Sequence, residues 1–329
     1  MGAATVAEGI EVPDSTDAFS PWAANSGRAT TSHARAGRCD RSGFDEEIEG
    51  EPLAGPLTDA TSPDDRSSGR LHAVASIQTQ HDGAIGTLLI HNPDRRNAMT
   101  ADMYAAVPAA VHELTSDPEL RVVIVRGSGT EAFGAGSDIT EFATRRVGPQ
   151  ADEYDATEHR AWQALSSIPV PVIAAIHGAC MGGGIAMALH CDIRIAADDA
   201  RFATPPARLG LAYPQEAIDE LVSLVGPATA KLLLYSAEVI DAHEARAVGL
   251  VQQVLPKEQL DDHVRRLATR IAELAPLTHR ATKLSVHAAA QPGALDSASA
   301  SRRLCYDSED FREGVQAFIE KRQPVFRGR

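Results

Sequence analysis

The stretch GACMGGGIAMALHCDI, residues 178–193, places three consecutive glycines between an apolar run and a segment with helical character. Glycine costs about 1 kcal/mol relative to alanine inside a helix, so three in a row at a predicted helix start need a reason. Glycine permits positive φ and lets another group come close to the backbone. The preceding run IPVPVIAAIHG, residues 168–178, predicts a buried strand. The glycines are therefore predicted to lie in a strand-to-helix turn.

A second glycine-rich turn, AFGAGSDITEF at 132–142, follows another predicted buried strand, RVVIVRG at 121–127. A further strand, DIRIAA, covers 192–197, and helical patterns separate these strands. Strands that alternate with helices predict an α/β core with a largely parallel sheet. Upstream, residues 74–92 predict two strands around a turn at His81–Gly83.

Helix signals accompany these strands. Thr100 is a predicted N-cap, and Asp241 with Glu244 has capping-box spacing before a short helix that Gly249 can end. A final helix is predicted over roughly 308–321. The apolar stripes of the first helix and of a long helix near the C-terminus are Met103, Val107, Val111 and Leu114, and Leu260, Val264, Leu267, Ile271 and Leu274.

Composition excludes several classes of partner. The net charge is −14 and the pI is near 5.3, so nucleic acid and anionic membranes, which bind basic surfaces, are not expected partners. No apolar run reaches the ~18 residues of a membrane span, and we expect no signal peptide. The four cysteines lack CxxC spacing. They indicate free thiols in a reducing compartment, which predicts a cytoplasmic location.

Three regions differ in composition. Residues 1–70 are rich in Ser, Thr, Gly, Pro and acidic side chains without a periodic apolar face, which is typical of disorder. Residues 71–255 contain the strand and glycine-turn patterns and are the predicted core. Residues 256–329 are predicted to form a helical C-terminal domain.

The two glycine-rich turns predict a shared chemistry. Each leaves backbone N–H groups without partners beyond a strand, near a helix start. Two such turns that face each other would bind a developing oxyanion. GACMGGG is not a GxGxxG dinucleotide site, and the chain has no Gly-Lys-Ser/Thr phosphate loop.

A serine hydrolase is an alternative reading of the same region. Ser137, His177 and Asp192 form a conceivable triad, although no GxSxG elbow exists. We interpret His177 instead as a packed or hydrogen-bonded core histidine. The spacing of His159, His177 and His190 predicts no metal site.

The chain from about residue 72 to 329 resembles the crotonase, or enoyl-CoA hydratase/isomerase, superfamily. The matching motifs, in the family's order, are HNPDRRNAM (91–99), AFGAGSDITEF (132–142), PVPVIAAIHGACMGGGIAMALHCDIRIAADDARFATPPARLGLAYP (169–214), AVGLVQQVLP (247–256) and SEDFREGVQAFIEKRQPVFRGR (308–329). The resemblance implies an α/β fold, a crotonase-like ββα spiral with a helical C-terminal trimerisation region. It also implies an acyl-CoA substrate, with coenzyme A as part of the substrate and no separate cofactor, and a homotrimer or dimer of trimers.

By motif position, the resemblance assigns roles to particular residues. The backbone amides of Ser137 and Gly183 would hold the thioester oxygen. Phe318 and Lys321 would touch coenzyme A from a neighbouring subunit. The segments that would lie along the coenzyme A moiety contain Arg96, Asn97, Ala98, Ala135, Gly136, Asp138 and Ile139.

The departures from the family pattern bear on the reaction. The hydratases of this family use two glutamates as acid and base, and their positions are occupied here by Ala186 and Pro206. Neither side chain can move a proton. Tyr213 lies where the similar methylmalonyl-CoA decarboxylases carry a tyrosine, although those enzymes have a histidine at the position of Ser137. The sequence therefore predicts decarboxylation of a malonyl-type thioester, with Tyr213 orienting the substrate or donating a proton.

Other readings stay open. Hydration or double-bond isomerisation could use another acid, and Glu141 and Glu216 are the candidates. A member of the family that binds CoA or RNA without catalysis is a second alternative, although the acidic charge disfavours RNA. A hydrolase of C–C or thioester bonds is a third.

Overall fold

Two ranges, residues 74–290 and 295–329, are described by the computed structural model, and the predictions for residues 1–70 lie outside them. The strands are β1 Ser76–Asp82, β2 Ile85–His91, β3 Val122–Gly127, β4 Ala132–Gly134, β5 Val172–Ile176, β6 Ala179–Met181, β7 Ile193–Ala197, β8 Arg201–Ala203, β9 Ile240–Asp241 and β10 Gln253–Leu255. The α-helices are α1 Ala101–Thr115, α2 Phe142–Arg145, α3 Pro149–Ser166, α4 Gly183–Leu189, α5 Pro206–Leu209, α6 Gln215–Ser236, α7 Ala242–Ala247, α8 Leu260–Ala272, α9 Pro276–Ala290, α10 Leu295–Asp307 and α11 Glu309–Glu320.

The strands form two sheets. The larger sheet has six strands in the order β1-β2-β3-β5-β7-β10, and the smaller has four in the order β4-β6-β8-β9. Pairing is parallel except for β1 with β2 and β8 with β9. The α/β prediction with a largely parallel sheet is confirmed. The second sheet was not predicted because its strands have only two or three residues, too few for a periodic pattern.

The larger sheet is covered on both faces. In β3, Val123 and Val125 pack into the main core with α1 and α3, whereas Val122 and Ile124 pack into a second apolar cluster under α8. Burial on both faces explains why RVVIVRG is an unbroken apolar run instead of an alternating one.

The chain passes from the larger sheet to the smaller one three times, at β3–β4, β5–β6 and β7–β8. Helical structure follows each crossing, so the repeating unit is ββα, as the resemblance implies. Gly178 shows why a crossing needs glycine. Its φ is +53°, and a Cβ at this position would overlap the backbone carbonyl of Glu131.

The predicted caps are confirmed. The Thr100 hydroxyl accepts a hydrogen bond from the Met103 amide at 3.2 Å, and Asp241 with Glu244 forms a reciprocal capping box at the start of α7. The apolar stripe of α1 is buried. The turn between β1 and β2 lies about one residue later than predicted, because β1 continues through Asp82.

The C-terminal third is helical, as predicted. In α8 the stripe begins with buried Leu260 and Val264, whereas Leu274 lies beyond the helix end and is exposed. α11 matches the predicted final helix, but neither α9 nor α10 was predicted. The carboxylate of Asp310 accepts from the backbone amides of Arg327 and Gly328 at 2.7 and 2.8 Å, which ties the tail to α11. Across the described ranges, no helix combines the length and apolar character needed to cross a membrane.

Close packing of α4 on β4 gives the first prediction. A Cβ on Gly184 would overlap the carbonyl of Gly134, so Gly184→Ala should lower the free energy of unfolding by about 1–3 kcal/mol through overpacking. Gly314→Ala in α11 is the matched control, because its Cβ would meet the Phe326 ring at 3.5 Å, an ordinary contact. Urea unfolding of both variants measures the difference. Equal stability of the two variants would contradict this account of the packing.

Candidate active site

The two glycine-rich turns are neighbours because the strands before them pair. β4 and β6 are adjacent and parallel in the smaller sheet, with Gly134 opposite Cys180. The chain leaves β4 into the loop at 135–138, and it leaves β6 into α4, which begins at Gly183. Parallel pairing puts both exits at the same edge, so the predicted proximity of the turns is observed.

The turns approach closely enough for their amides to border one space. A Cβ on Gly136 would lie 3.6 Å from the Gly183 nitrogen, and a Cβ on Gly183 would lie 3.2 Å from the Ser137 nitrogen. Within the described residues, neither the Ser137 amide nor the Gly183 amide donates to a protein acceptor. Two unpartnered N–H groups beside one another can hold an oxyanion.

A pocket opens at these two turns. Its walls come from the loop after β4, from α3, from the start of α4 and from the segment around α5. The apolar wall residues are Ala135, Ile139, Phe142, Trp162, Met181, Ala186, Pro205, Pro206, Leu209, Leu211, Ala212 and Pro214. The ionisable wall residues are Arg146, Glu158 and Tyr213.

Glu158 is the buried carboxyl group of this pocket. It lies on α3 with 2% of its surface exposed. One carboxylate oxygen accepts from the Ser137 hydroxyl at 2.9 Å, and the other accepts from Arg146 Nη2 at 3.1 Å. Burial raises the pKa of Glu158 above its usual value, and the Arg146 charge and the Ser137 hydrogen bond oppose this shift in part. A carboxyl group whose pKa is raised in this way can serve as an acid as well as a base.

Tyr104 extends the hydrogen-bonded chain. Its hydroxyl is fully buried and lies 3.0 Å from the Ser137 hydroxyl oxygen. Because Ser137 donates its proton to Glu158, the hydroxyl of Tyr104 must donate to Ser137. Burial raises the pKa of Tyr104 well above its ordinary value, so the phenol stays protonated. The chain Tyr104–Ser137–Glu158 fixes the carboxyl group beside the amide pair.

Comparisons with known proteins agree with this geometry. The sequence profile of the family described as enoyl-CoA hydratase/isomerase matches residues 80–329. The chain belongs to the enoyl-CoA hydratase/isomerase family. It is 34% identical over 257 residues to a crotonyl-CoA hydratase of Syntrophomonas wolfei, which covers 77% of this chain and 98% of that protein.

Further relatives support the fold. A short-chain-enoyl-CoA hydratase of Clostridium acetobutylicum is 31% identical and covers 75% of this chain and 96% of its own length. The crystal structure of an enoyl-CoA hydratase/carnithine racemase from Magnetospirillum magneticum superposes with a TM-score of 0.73 at 37% identity, covering 77% of this chain and 96% of that one. The predicted superfamily and fold class are therefore confirmed.

Ala186 and Pro206 both line the pocket of this family member. The resemblance puts the two glutamates of the hydratases at these positions. Ala186 is 1% exposed and packs in the main core. The wall formed by α4 and α5 therefore offers no proton donor or acceptor side chain at these two positions.

Tyr213 also lines the pocket. Its hydroxyl donates to the backbone carbonyl of Gly182 at 2.9 Å, and burial raises its pKa. In this arrangement the hydroxyl holds the glycine turn beside the Gly183 amide. The predicted role in orienting substrate or donating a proton stays a prediction.

Glu141 and Glu216 do not join the pocket. The Glu141 carboxylate accepts from the Ala101 amide at 2.8 Å and so stabilises the start of α1. Glu216 is about half exposed and lies 3.2 Å from Nδ1 of His159. Neither residue belongs to the pocket wall, so the structure gives both acids other partners.

The segments expected to contact coenzyme A lie side by side. The Ala135 amide donates to the carbonyl of Arg96 at 3.0 Å, which places 96–98 against 135–139. The buried Asn97 amide nitrogen donates to the carbonyl of Ala132 at 2.7 Å, so its side chain fixes this edge. Asp138 is paired with Arg95 at 2.6 Å. Contact of these residues with coenzyme A stays a prediction.

Phe318 and Lys321 lie on α11 and at its end, and neither is part of the pocket wall of the same chain. Phe318 is 69% exposed. The resemblance assigns both to a neighbouring subunit, and this role and the trimer stay predictions.

The serine-hydrolase triad is wrong. His177 is 3% exposed, and its Nε2 lies 3.0 Å from a carboxylate oxygen of Asp261, not near Ser137. Asp192 accepts from the Val172 amide and pairs with Lys283. The interpretation of His177 as a hydrogen-bonded core histidine is confirmed. Across the described ranges, no cluster of His, Cys, Asp and Glu could hold a metal ion.

Glu158 was missed by the sequence analysis, although a signal for it exists. On α3 it belongs to the buried face formed by Tyr154, Ala161, Trp162 and Leu165. A carboxylate in the middle of an apolar helical stripe is costly unless it has partners. Such a residue is a candidate for function even when no motif contains it.

The Gly183 amide gives the second prediction. Replacing Gly183 with proline removes this N–H at a helix position that tolerates proline, although the ring would also crowd the hydroxyls of Tyr104 and Ser137. Gly183→Pro should abolish turnover of thioester substrates, because half of the oxyanion site is lost. Activity assays on protein whose fold is checked by circular dichroism measure this. Retained turnover in a folded variant would overturn the oxyanion assignment.

Proposed function

We propose that this protein is an acyl-CoA enzyme that moves a double bond next to the thioester, with Glu158 as its acid and base. The observation that carries this is the position of Glu158, which is bonded to the side chain of Ser137. The amide of the same Ser137 is half of the amide pair. One residue thus links the site for the oxyanion to the group that would transfer the proton. Coenzyme A enters as part of the substrate, and no separate cofactor is proposed.

The reaction begins with a β,γ-unsaturated thioester. The Glu158 carboxylate takes a proton from the α-carbon, and the C–H electron pair delocalises into the carbonyl. The resulting oxyanion accepts hydrogen bonds from the Ser137 and Gly183 amides. The carboxyl group then returns the proton to the γ-carbon, and the double bond forms between the α- and β-carbons. Atoms and charge balance without another reactant.

The absence of the glutamate pair favours isomerisation over hydration. In the hydratases of this family, two glutamates divide the roles of acid and base, and Ala186 and Pro206 stand at those positions. Isomerisation needs only one group, because the same carboxyl accepts and returns the proton. Curated relatives are named crotonyl-CoA hydratase and short-chain-enoyl-CoA hydratase, so hydration belongs in every assay as a competing outcome.

Glu158→Gln tests the proposal. This change keeps the shape of the side chain but removes the proton acceptor, so kcat/KM for a β,γ-hexenoyl-CoA should fall about 10²–10⁴-fold. Glu153→Gln is the matched control, because Glu153 is exposed on the same helix. Conversion is followed by chromatography and by deuterium uptake in D₂O. An unchanged rate in Glu158→Gln would refute the assignment.

The pH profile gives a further check. The pKa of Glu158 is raised by burial, and the ionised form is the base. The wild-type kcat/KM should therefore fall as the pH drops through this raised pKa, at a higher pH than for an ordinary glutamate. A wild-type profile that is flat across this range would speak against Glu158 as the base.

Decarboxylation of a malonyl-type thioester is the second candidate. It produces the same enolate and afterwards needs a proton donor. Ala186, Pro206 and the pocket position of Tyr213 support it. Protonated Glu158 could supply the proton, so this activity should fall as the pH rises, opposite to isomerisation. Release of carbon dioxide from methylmalonyl-CoA, compared with hydration of crotonyl-CoA, would decide between the reactions, and fast hydration would exclude decarboxylation.

A further inference from the structure

Arg146 is fixed in the wall of the same pocket. It follows α2 directly, and its side chain is only 13% exposed. Its guanidinium carbon lies 5.1 Å from the ring centroid of Phe142 and 4.9 Å from that of Tyr154. Cation–π contacts with two rings hold the flat guanidinium in one orientation. It is therefore a preorganised positive charge.

The hydrogen-bonding capacity of Arg146 is only partly used. Its Nη2 donates to Asp155 at 3.0 Å and to Glu158 at 3.1 Å. Among the described residues, no acceptor is bonded to its Nε or Nη1. A guanidinium carries five N–H donors, so three remain available. These nitrogens are also not among the side-chain atoms that are sealed from solvent without a partner, so a bound ligand can reach them.

Both acidic partners of Arg146 bond to its Nη2, so one side of the guanidinium is left open. Asp155 is 59% exposed, so water screens its contribution. Most of the remaining wall is apolar. A permanent cation with spare donors in an apolar wall is the usual recognition element for a carboxylate.

We propose that Arg146 binds a carboxylate on the acyl group, so that the substrate is a coenzyme A thioester of a dicarboxylic acid. This inference rests on the proposed function of the pocket. The carboxylate lies away from the thioester and accepts hydrogen bonds from the unused donors of Arg146. It survives the reaction, because an ion pair with arginine stabilises a carboxylate and does not promote its loss. The residues around Arg146 therefore select the acyl group.

Equilibrium binding tests this without requiring turnover. Adipoyl-CoA and hexanoyl-CoA have acyl chains of equal length, and only adipoyl-CoA ends in a carboxylate. Calorimetry on the full chain should give at least tenfold tighter binding of adipoyl-CoA. Arg146→Met should weaken adipoyl-CoA binding about 10- to 100-fold, the range of a lost hydrogen bond to a charged group. Its affinity for hexanoyl-CoA should change less than about threefold.

Two further variants complete the design. Arg145→Met is the matched control, because Arg145 is about half exposed, pairs with Asp102 and is not in the pocket wall; its preference should equal that of the wild type. Arg146→Lys keeps the charge without the planar guanidinium, and should retain part of the preference even if Arg146→Met does not fold.

The outcomes separate the two claims. Equal binding of both thioesters to the wild type, or equal weakening of both in Arg146→Met, overturns the carboxylate site. Selective binding of adipoyl-CoA without isomerisation of the six-carbon β,γ-unsaturated dicarboxyl-CoA supports the carboxylate site and refutes the proposed reaction. Isomerisation without preference for the carboxylated substrate supports the proposed reaction and refutes the carboxylate site. If neither thioester binds, both claims fall.

Discussion

The parallel pairing of β4 with β6 is the constraint on which the site depends. These strands have only three residues each, yet their pairing brings together two chain segments separated by more than 40 residues. Any side chain on Gly183 or Gly184 would intrude on the facing segment. Gly184 is thus required by the distance between two backbones, Gly183 by the nearby hydroxyls of Tyr104 and Ser137, and Gly182 by its φ of +45°. Two apolar clusters, one of them under α8, bury β3, β5 and β7 of the larger sheet on both faces. This packing supports the smaller sheet from outside.

Ser137 joins backbone and side-chain chemistry in one residue. Its amide borders the oxyanion space, and its hydroxyl connects Tyr104 with Glu158. Tyr104 is buried and donates, so the hydroxyl of Ser137 is directed at the carboxyl group. Burial alone would push Glu158 strongly toward its neutral form, and Arg146 opposes that shift. The balance of these two effects leaves a carboxyl group that can both accept and return a proton.

The sequence was sufficient for those parts of the fold that depend on local pattern. The strand RVVIVRG, the Thr100 cap and the capping box at Asp241 are each decided within about six residues, and all are observed. The strands of the smaller sheet and the helices α9 and α10 carry too little periodic apolar content to be recognised. The candidate site likewise has a part that local motifs predict and a part that they do not. The glycine turns are local motifs, whereas Glu158 meets Ser137 across 21 residues and Tyr104 meets it across 33. Only the packing of α1 and α3 against each other creates those contacts.

The separation between the backbone amides and the acid and base side chains explains how one fold can hold different reactions. The amide pair depends on the smaller sheet and cannot move without disrupting it. The acid and base depend only on side chains that face the pocket, and α3, α4 and α5 each supply part of its wall. The resemblance puts the two hydratase glutamates at Ala186 on α4 and Pro206 on α5, and neither position contributes an amide to the proposed oxyanion pair. A carboxyl group on α3 can then act on the same enolate from another side. Because Glu158 and Arg146 are bonded to each other, a change that relocates the proton-transfer group also alters which acyl groups fit.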